Sequence, residues 1–200
     1  TRQLIPALVD VNNPGLTGGV QNQPDFQAGA VDHHTHFASE VPRFVTQAMQ
    51  EYGELTGRVY APVMGFMAED AEHVIVAMGS VTDDVEAVVS YLRRQGKKVG
   101  VVSIKLLQPF PEAELVAVLK GKKAVTVLER CDVTTLTSMV THALFKALEN
   151  NGLIRHLGIP SIDSLPKIST GVFGLGAHDL QSRHLIAAFK NMESATNIPL

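Results

Sequence analysis

Three short apolar runs constrain this chain more than anything else in it: Val74-Ile75-Val76-Ala77-Met78, Val99-Gly100-Val101-Val102-Ser103-Ile104 and Ala124-Val125-Thr126-Val127-Leu128. None alternates apolar with polar residues. A strand with one wet face shows that alternation, so these three are predicted to be covered on both faces. Helical patterns separate them. After Gly79-Ser80, the residues Val85, Val88, Val89 and Leu92 recur at helical spacing, Asp83 and Glu86 stand as a capping box, and Gly96 sits where a C′ glycine belongs. Pro109 and Pro111 break the chain before a short helix through Leu115, Val118 and Leu119. After the third run, Asp132 or Thr134 starts a stripe of Leu136, Met139, Val140, Ala143, Leu144 and Leu148 that Gly152 stops. Residues 166–170 read as a last short strand, and Asp179 opens a helix burying Leu180, Ile186, Phe189 and Met192. This order predicts an α/β fold: a mostly parallel sheet with helices on both faces.

The opening of the chain is different. Pro6, Pro14 and Pro24 with Gly15, Gly18, Gly19 and Gly29 interrupt any period up to Asp32. Residues 1–38 are therefore expected to be an extended arm or interdomain linker, and 39–200 the α/β domain. Ser39 is the expected N-cap of a first helix. Its stripe is Val41, Phe44, Val45, Ala48, Met49 and Tyr52, and Gly53 or Gly57 ends it. The chain opens on Thr1-Arg2-Gln3-Leu4, without an initiator Met or a signal-peptide layout. That points to a segment of something larger, although a processed chain would look the same.

A net charge of −3 gives no basic field for nucleic acid or an anionic membrane, and no apolar stretch is long enough to span a bilayer. The one cysteine, Cys131, excludes an internal disulfide and any four-cysteine zinc or iron–sulfur site. It suits a reducing compartment, and the expected location is cytoplasmic.

No complete catalytic constellation stands out. His33-His34-Thr35-His36 has the look of a metal ligand set, but a structural zinc site needs four ligands and neither a Cys nor a His-Glu-x-x-His pattern is near. Solvated histidines before a helix are the expectation, and no metal site is assigned. Gly79-Ser80, between strand and helix, is where a doubly wound fold holds a phosphate or carboxylate. It lacks the Gly-x-Gly-x-x-Gly and P-loop spacings, so these two residues are cofactor-binding candidates only beside the structural reading of a tight turn. Gly171-Val172-Phe173-Gly174-Leu175-Gly176 also misses the dinucleotide spacing, and its glycines let a loop pack closely. Gly174 and Gly176 are candidates for interdomain contact, as are Gln21 and Asn22, whose alternative is turn chemistry. Cys131 follows Glu129-Arg130; an inert cysteine outweighs a catalytic one.

The segments taken in order resemble a known family. Asp70-Ala71-Glu72-His73-Val74-Ile75-Val76-Ala77-Met78-Gly79-Ser80 is the most specific piece. It is similar to the Asp-Ala-Glu-Arg-Val-Ile-Val-x-Met-Gly-Ser of pyruvate:ferredoxin (flavodoxin) oxidoreductases. Leu55-Thr56-Gly57-Arg58-Val59-Tyr60, Gly96-Lys97-Lys98-Val99-Gly100-Val101, Val127-Leu128-Glu129-Arg130 and Phe173-Gly174-Leu175-Gly176 resemble further stretches of it. Asn13-Pro14-Gly15-Leu16-Thr17-Gly18-Gly19-Val20-Gln21-Asn22 resembles its arm, with Thr17 in place of an Arg. Gln108 stands in place of another Arg, and the family's Lys-Glu-Pro-Gly stretch after Arg130 is absent. The strand–Gly79-Ser80–helix–Gly96–strand unit also looks like the C-terminal domain of transketolases.

The resemblance implies an internal domain of a thiamine-diphosphate enzyme that decarboxylates a 2-oxoacid oxidatively, giving acyl-CoA and CO2. Such a parent uses thiamine diphosphate, Mg²⁺, [4Fe-4S] clusters and coenzyme A, and passes electrons to ferredoxin or flavodoxin. In it this domain holds no cofactor. It packs against other domains or subunits and helps form a homodimer. Two alternatives are a transketolase-type module of another thiamine enzyme and a self-contained anion binder using Gly79-Ser80.

Overall fold

A computed structural model describes residues 11–12, 19–152 and 154–194 of the 200. Pro6, Pro14, Gly15, Gly18 and the arm stretch Asn13 to Gly18 lie outside the described residues. The chain divides into two units, Thr1–Val41 and Pro42–Leu200.

From Gln23 the first unit is helical where an extended arm was expected. Helix α1 spans Gln23–Asp32, followed by a π turn over His33–Phe37 and a 3-10 turn over Ala38–Glu40. Asn22 caps α1: its Oδ1 accepts the Asp25 N–H at 3.1 Å. Pro24 falls in the first turn, where a missing N–H costs nothing. None of these segments buries a residue. A helix with no buried face needs no apolar stripe, so the absence of period did not mean absence of helix. Ser39 is not an N-cap; its hydroxyl donates back to the Thr35 carbonyl at 3.3 Å. Helix α2 covers Val41–Thr56, and Gly57, at φ +72°, follows it.

The second unit holds a five-stranded sheet in the order β1-β3-β2-β4-β5. Its strands are β1 (Val63–Phe66), β2 (His73–Met78), β3 (Val99–Ile104), β4 (Ala124–Glu129) and β5 (Lys167–Val172). Four run parallel. β1 is antiparallel to β3, with Val63 opposite Ile104. The connections carry α3 (Val81–Arg93), α4 (Glu112–Leu119) and α5 (Thr135–Glu149), and α6 (Ser182–Glu193) follows β5. The three apolar runs are the three central strands, and the fold class is the expected one.

Because side chains alternate across a strand, each central strand feeds two cores. Ile75, Ala77, Val99 and Val101 pack under α3 and α6. Val74, Val76, Val102, Val125 and Val127 pack under α4 and α5. Gly96 closes α3 as expected. Its N–H donates to the Arg93 carbonyl at 2.9 Å while Lys97 N–H reaches Leu92 at 3.2 Å, the paired bonds of a glycine-terminated helix.

Two further helix starts differ from expectation. α3 begins at Val81, two residues before Asp83, because Gly79 at φ +84° turns the chain at once. Asp83 and Asp84 then lie in its first turn, where they favour the positive end of the helix dipole. α6 begins at Ser182 rather than Asp179. Gly174, Gly176 and Ala177 all have positive φ and hold the preceding loop, with its 3-10 turn over Leu175–Ala177, out of α-helix. Gln181 and His184 then cap each other, the Gln181 N–H donating to His184 Nδ1 at 3.2 Å.

Candidate functional site

The sheet order creates a switch point. From β2 the chain moves out to β3 and then returns to lay β4 on the other side of β2. The helix after β2 covers one face and the helix after β4 the other. Their starts therefore diverge and leave a crevice beyond the carboxyl ends of the two strands, the place where open α/β sheets bind ligands.

A cavity of about 290 Å³ lies there. Met78 comes from the end of β2, Leu107 from beyond β3, Leu128 to Cys131 from the end of β4, Thr135 and Leu136 from α5, and Phe173 from beyond β5. A second cavity of about 360 Å³ shares Leu128 and Phe173 and continues toward α6, taking in His178, Asp179 and His184.

Two neighbouring charges at the end of β4 have opposite fates. Glu129 is buried. Its carboxylate accepts the N–H groups of Leu136 at 2.7 Å and Thr137 at 2.9 Å, and the Thr137 hydroxyl at 2.5 Å. The positive end of α5 is thus filled by a side chain from the strand before it, while Thr134, at the cap position, makes no side-chain cap bond. Arg130 is exposed and lies against Gly174: its Nε donates to the Gly174 carbonyl at 3.2 Å. A Cβ on Gly174 would stand 3.0 Å from that Nε and 3.2 Å from Cδ, so the glycine makes room for the arginine.

The sequence candidates fall as follows. Gly79 and Ser80 are exposed at the end of β2, on the same edge of the sheet as Gly174 and Gly176. Ser80 takes the cap position of α3 without a side-chain cap bond. The Thr82 hydroxyl donates to the Gly79 carbonyl at 2.8 Å. Asp83 and Asp84 put negative charge beside that turn, which opposes an anion there. Gln21 and Asn22 belong to the first unit, where Asn22 is a helix cap. His33, His34 and His36 are exposed, with His33 stacked on Phe37. Among the described residues no three His, Cys, Asp or Glu side chains converge as a metal site. Cys131 is exposed with Asp132 Oδ1 3.9 Å from its sulfur. In the sequence Glu129 and Arg130 stand out only as neighbours of Cys131 and within the family resemblance. Their roles depend on β4 and β5 being neighbours, which no local pattern states.

Comparison with known proteins identifies the domain. The model of the family described as pyruvate:ferredoxin oxidoreductase core domain II matches residues 71–158, from the start of β2 past the end of α5. Residues 71–158 thus resemble the core domain II of pyruvate:ferredoxin oxidoreductases. It is 29% identical over 184 residues to pyruvate synthase subunit PorA of Thermotoga maritima, covering 92% of this chain and 44% of that one. It is 33% identical over 182 residues to pyruvate-flavodoxin oxidoreductase of Klebsiella pneumoniae, covering 90% of this chain and 15% of that one. The chain thus spans less than half the length of these relatives, which are subunits or fused forms of larger oxidoreductases. Among solved structures, a 2-oxoglutarate:ferredoxin oxidoreductase from Magnetococcus marinus shares the fold, with a TM-score of 0.50 and 20% identity over 72% of this chain and 22% of that one.

A [4Fe-4S] cluster takes four thiolates, and this chain has one cysteine. Among the described residues no helix is long and apolar enough to cross a membrane.

Proposed function

We propose that this chain is the architectural domain of a thiamine-diphosphate-dependent enzyme that oxidatively decarboxylates a 2-oxoacid, pyruvate in the first instance, to acyl-CoA and CO2. The parent carries thiamine diphosphate with Mg²⁺, [4Fe-4S] clusters and coenzyme A on other domains or subunits. It passes electrons to ferredoxin or flavodoxin, and works as a homodimer in the cytoplasm. Residues 1–38 serve as the interdomain arm, helical from Gln23, and 39–200 as the α/β domain. Gln21, Asn22, Gly174 and Gly176 are the contact candidates toward neighbouring domains.

The observation that carries this reading is a domain with full cores and an exposed apolar helix face. No residue of α2 is buried, although Phe44 and Tyr52 stand on one stripe and are 57% and 44% exposed. Large apolar patches on a folded chain mark surfaces that meet other protein. Among the described residues at the sheet edge no nucleophile stands within hydrogen-bond reach of a histidine, which supports a role without chemistry of its own.

Calorimetric titration of the chain with thiamine diphosphate plus Mg²⁺, and separately with coenzyme A, tests the division of labour. The expected result is no heat of binding for either at about 1 mM ligand. Tight thiamine diphosphate binding would overturn it. Binding of coenzyme A would move the domain to a cofactor-contacting role, with Gly79 and Ser80 the first residues to change.

A further inference from the structure

We propose that the crevice between β2 and β4 is a binding site for a small organic monocarboxylate with a flat apolar body, held by Arg130. This site stands apart from the scaffold role and does not depend on it.

The walls are apolar. Met78, Leu107, Leu128, Leu136 and Phe173 surround a volume of about 290 Å³. At about 30 Å³ per water-sized group, that space takes a ligand of on the order of ten non-hydrogen atoms. Pockets of this kind combine an apolar lining with a few fixed polar groups, and here the fixed group is a cation.

Arg130 has the properties of a built anion clamp. Its Nε is spent on the Gly174 carbonyl, at 3.2 Å, and its stem lies in the space that the missing Cβ of Gly174 leaves. The stem is thereby braced, and the planar guanidinium keeps its Nη donors for a carboxylate, which it matches in a two-point bond. The carboxylate adjacent in sequence does not neutralise it, because Glu129 turns inward onto α5 and Thr137. A single cation on apolar walls suits one negative charge on a hydrophobic body. A phosphate ester would need more donors, and the one helix start nearby with a glycine turn carries Asp83 and Asp84. The site binds rather than reacts: Cys131 has only the weakly basic Asp132 carboxylate beside it, and no histidine lines the cavity.

The test is a titration of the ¹⁵N-labelled full chain with 3-phenylpropanoate, and with the neutral 3-phenylpropanamide, followed by amide chemical shifts. The acid is expected to shift Leu107, Cys131 and Phe173 saturably with a Kd of about 1 mM or tighter, and the amide to bind about tenfold more weakly. Arg130→Gln is expected to bring the acid down to the affinity of the amide, while Arg130→Lys keeps part of the difference. Leu107 is exposed, so Leu107→Trp leaves the fold intact and is expected to block both ligands by filling the cavity. Retained preference for the acid in Arg130→Gln would overturn the proposal, as would shifts confined to the α6 cavity around His178 and His184. Failure of both probes to shift these amides would overturn it too, and would leave the crevice as a seat for a side chain of another domain.

Discussion

Glu129 and Thr137 are joined twice: one carboxylate oxygen of Glu129 accepts both the Thr137 N–H, at 2.9 Å, and the Thr137 hydroxyl, at 2.5 Å. The other oxygen takes the Leu136 N–H at 2.7 Å. The Thr170 hydroxyl from β5 donates to the Thr137 oxygen at 3.0 Å, so the network ties β4, α5 and β5 together. Glu129→Ala is expected to lower stability by about 3 kcal/mol, because it strips the first turn of α5 of a charged acceptor in a place closed to water. Glu129→Gln keeps one acceptor oxygen and should lose about half as much. Urea denaturation measures both. A loss under about 0.5 kcal/mol for Glu129→Ala, the range of an ordinary surface change, would show that water replaces the carboxylate.

Glycines 79 and 100 predict a contrast. Gly79 has φ +84° and open space around its missing Cβ, so Gly79→Ala pays backbone strain alone, about 1–2 kcal/mol. Gly100 sits in β3, where the loop after β1 crosses the strand. A Cβ there would lie 2.6 Å from the Met67 carbonyl oxygen and 2.9 Å from the Ala68 Cα, both backbone atoms that cannot step aside. Gly100→Ala is therefore expected to cost more, about 3 kcal/mol, by forcing the loop off the sheet. Thermal melts of the two variants rank them, and the reverse order would refute the packing argument.

That loop also shows where sequence reading stops. The strands β2, β3 and β4 were legible because Val74, Val101 and Val127 belong to runs with no polar member facing solvent. β1 was not: it has four residues, one of them Gly65, and is defined by its antiparallel pairing with β3 rather than by its own pattern. Helix α1 was missed because it buries nothing, and its cap Asn22 reads equally as a turn residue. At the candidate site, Gly79-Ser80 and Gly174 were visible as turn glycines. The cavity was not, since Met78, Leu107, Arg130 and Phe173 meet only through the strand order. Glu129 was hidden for a related reason: a charge ending a strand reads as exposure, whereas here it serves a helix that starts six residues later.

Lys122 fastens the loop after β1 from the other side. Its ammonium, largely buried, donates to the Ala68 carbonyl and to the Glu69 carbonyl at 3.0 Å. Burial holds its pKa below the ordinary lysine value. Lys122→Met keeps the stem but strands both carbonyls, with an expected cost of about 1–3 kcal/mol. Amide hydrogen exchange should then speed up at Ala71 and Glu72, whose N–H groups bond within this loop and to Lys98. Unchanged exchange there would mean that Arg93, which also holds the loop through the Met67 carbonyl at 2.6 Å and Asp70 at 2.7 Å, suffices alone.

His73, at the start of β2, sets a pH dependence. Burial pushes its imidazole below the ordinary value of 6.5; Glu193 and Glu72 oppose that shift, and Lys123 and Lys97 add to it. The unfolded chain therefore takes up a proton at His73 as pH falls through about 6.5, while the folded chain resists until lower pH. Between those two points the unfolded state binds more protons, so stability rises with pH. The contribution is fully present above the unfolded value and is lost as pH falls below it. Asp70 and Glu72 do not confuse this window. Their carboxyls are held below ordinary values of 3.8 and 4.5, chiefly by hydrogen bonds from Arg93 and Lys123, so what they contribute is lost only at more acid pH. Melting temperatures of the wild-type chain and His73→Gln at pH 7.5 and pH 5.5 isolate the effect from the other histidines. The wild type is expected to lose more on acidification than the variant, and equal losses would remove His73 as a source of the pH dependence.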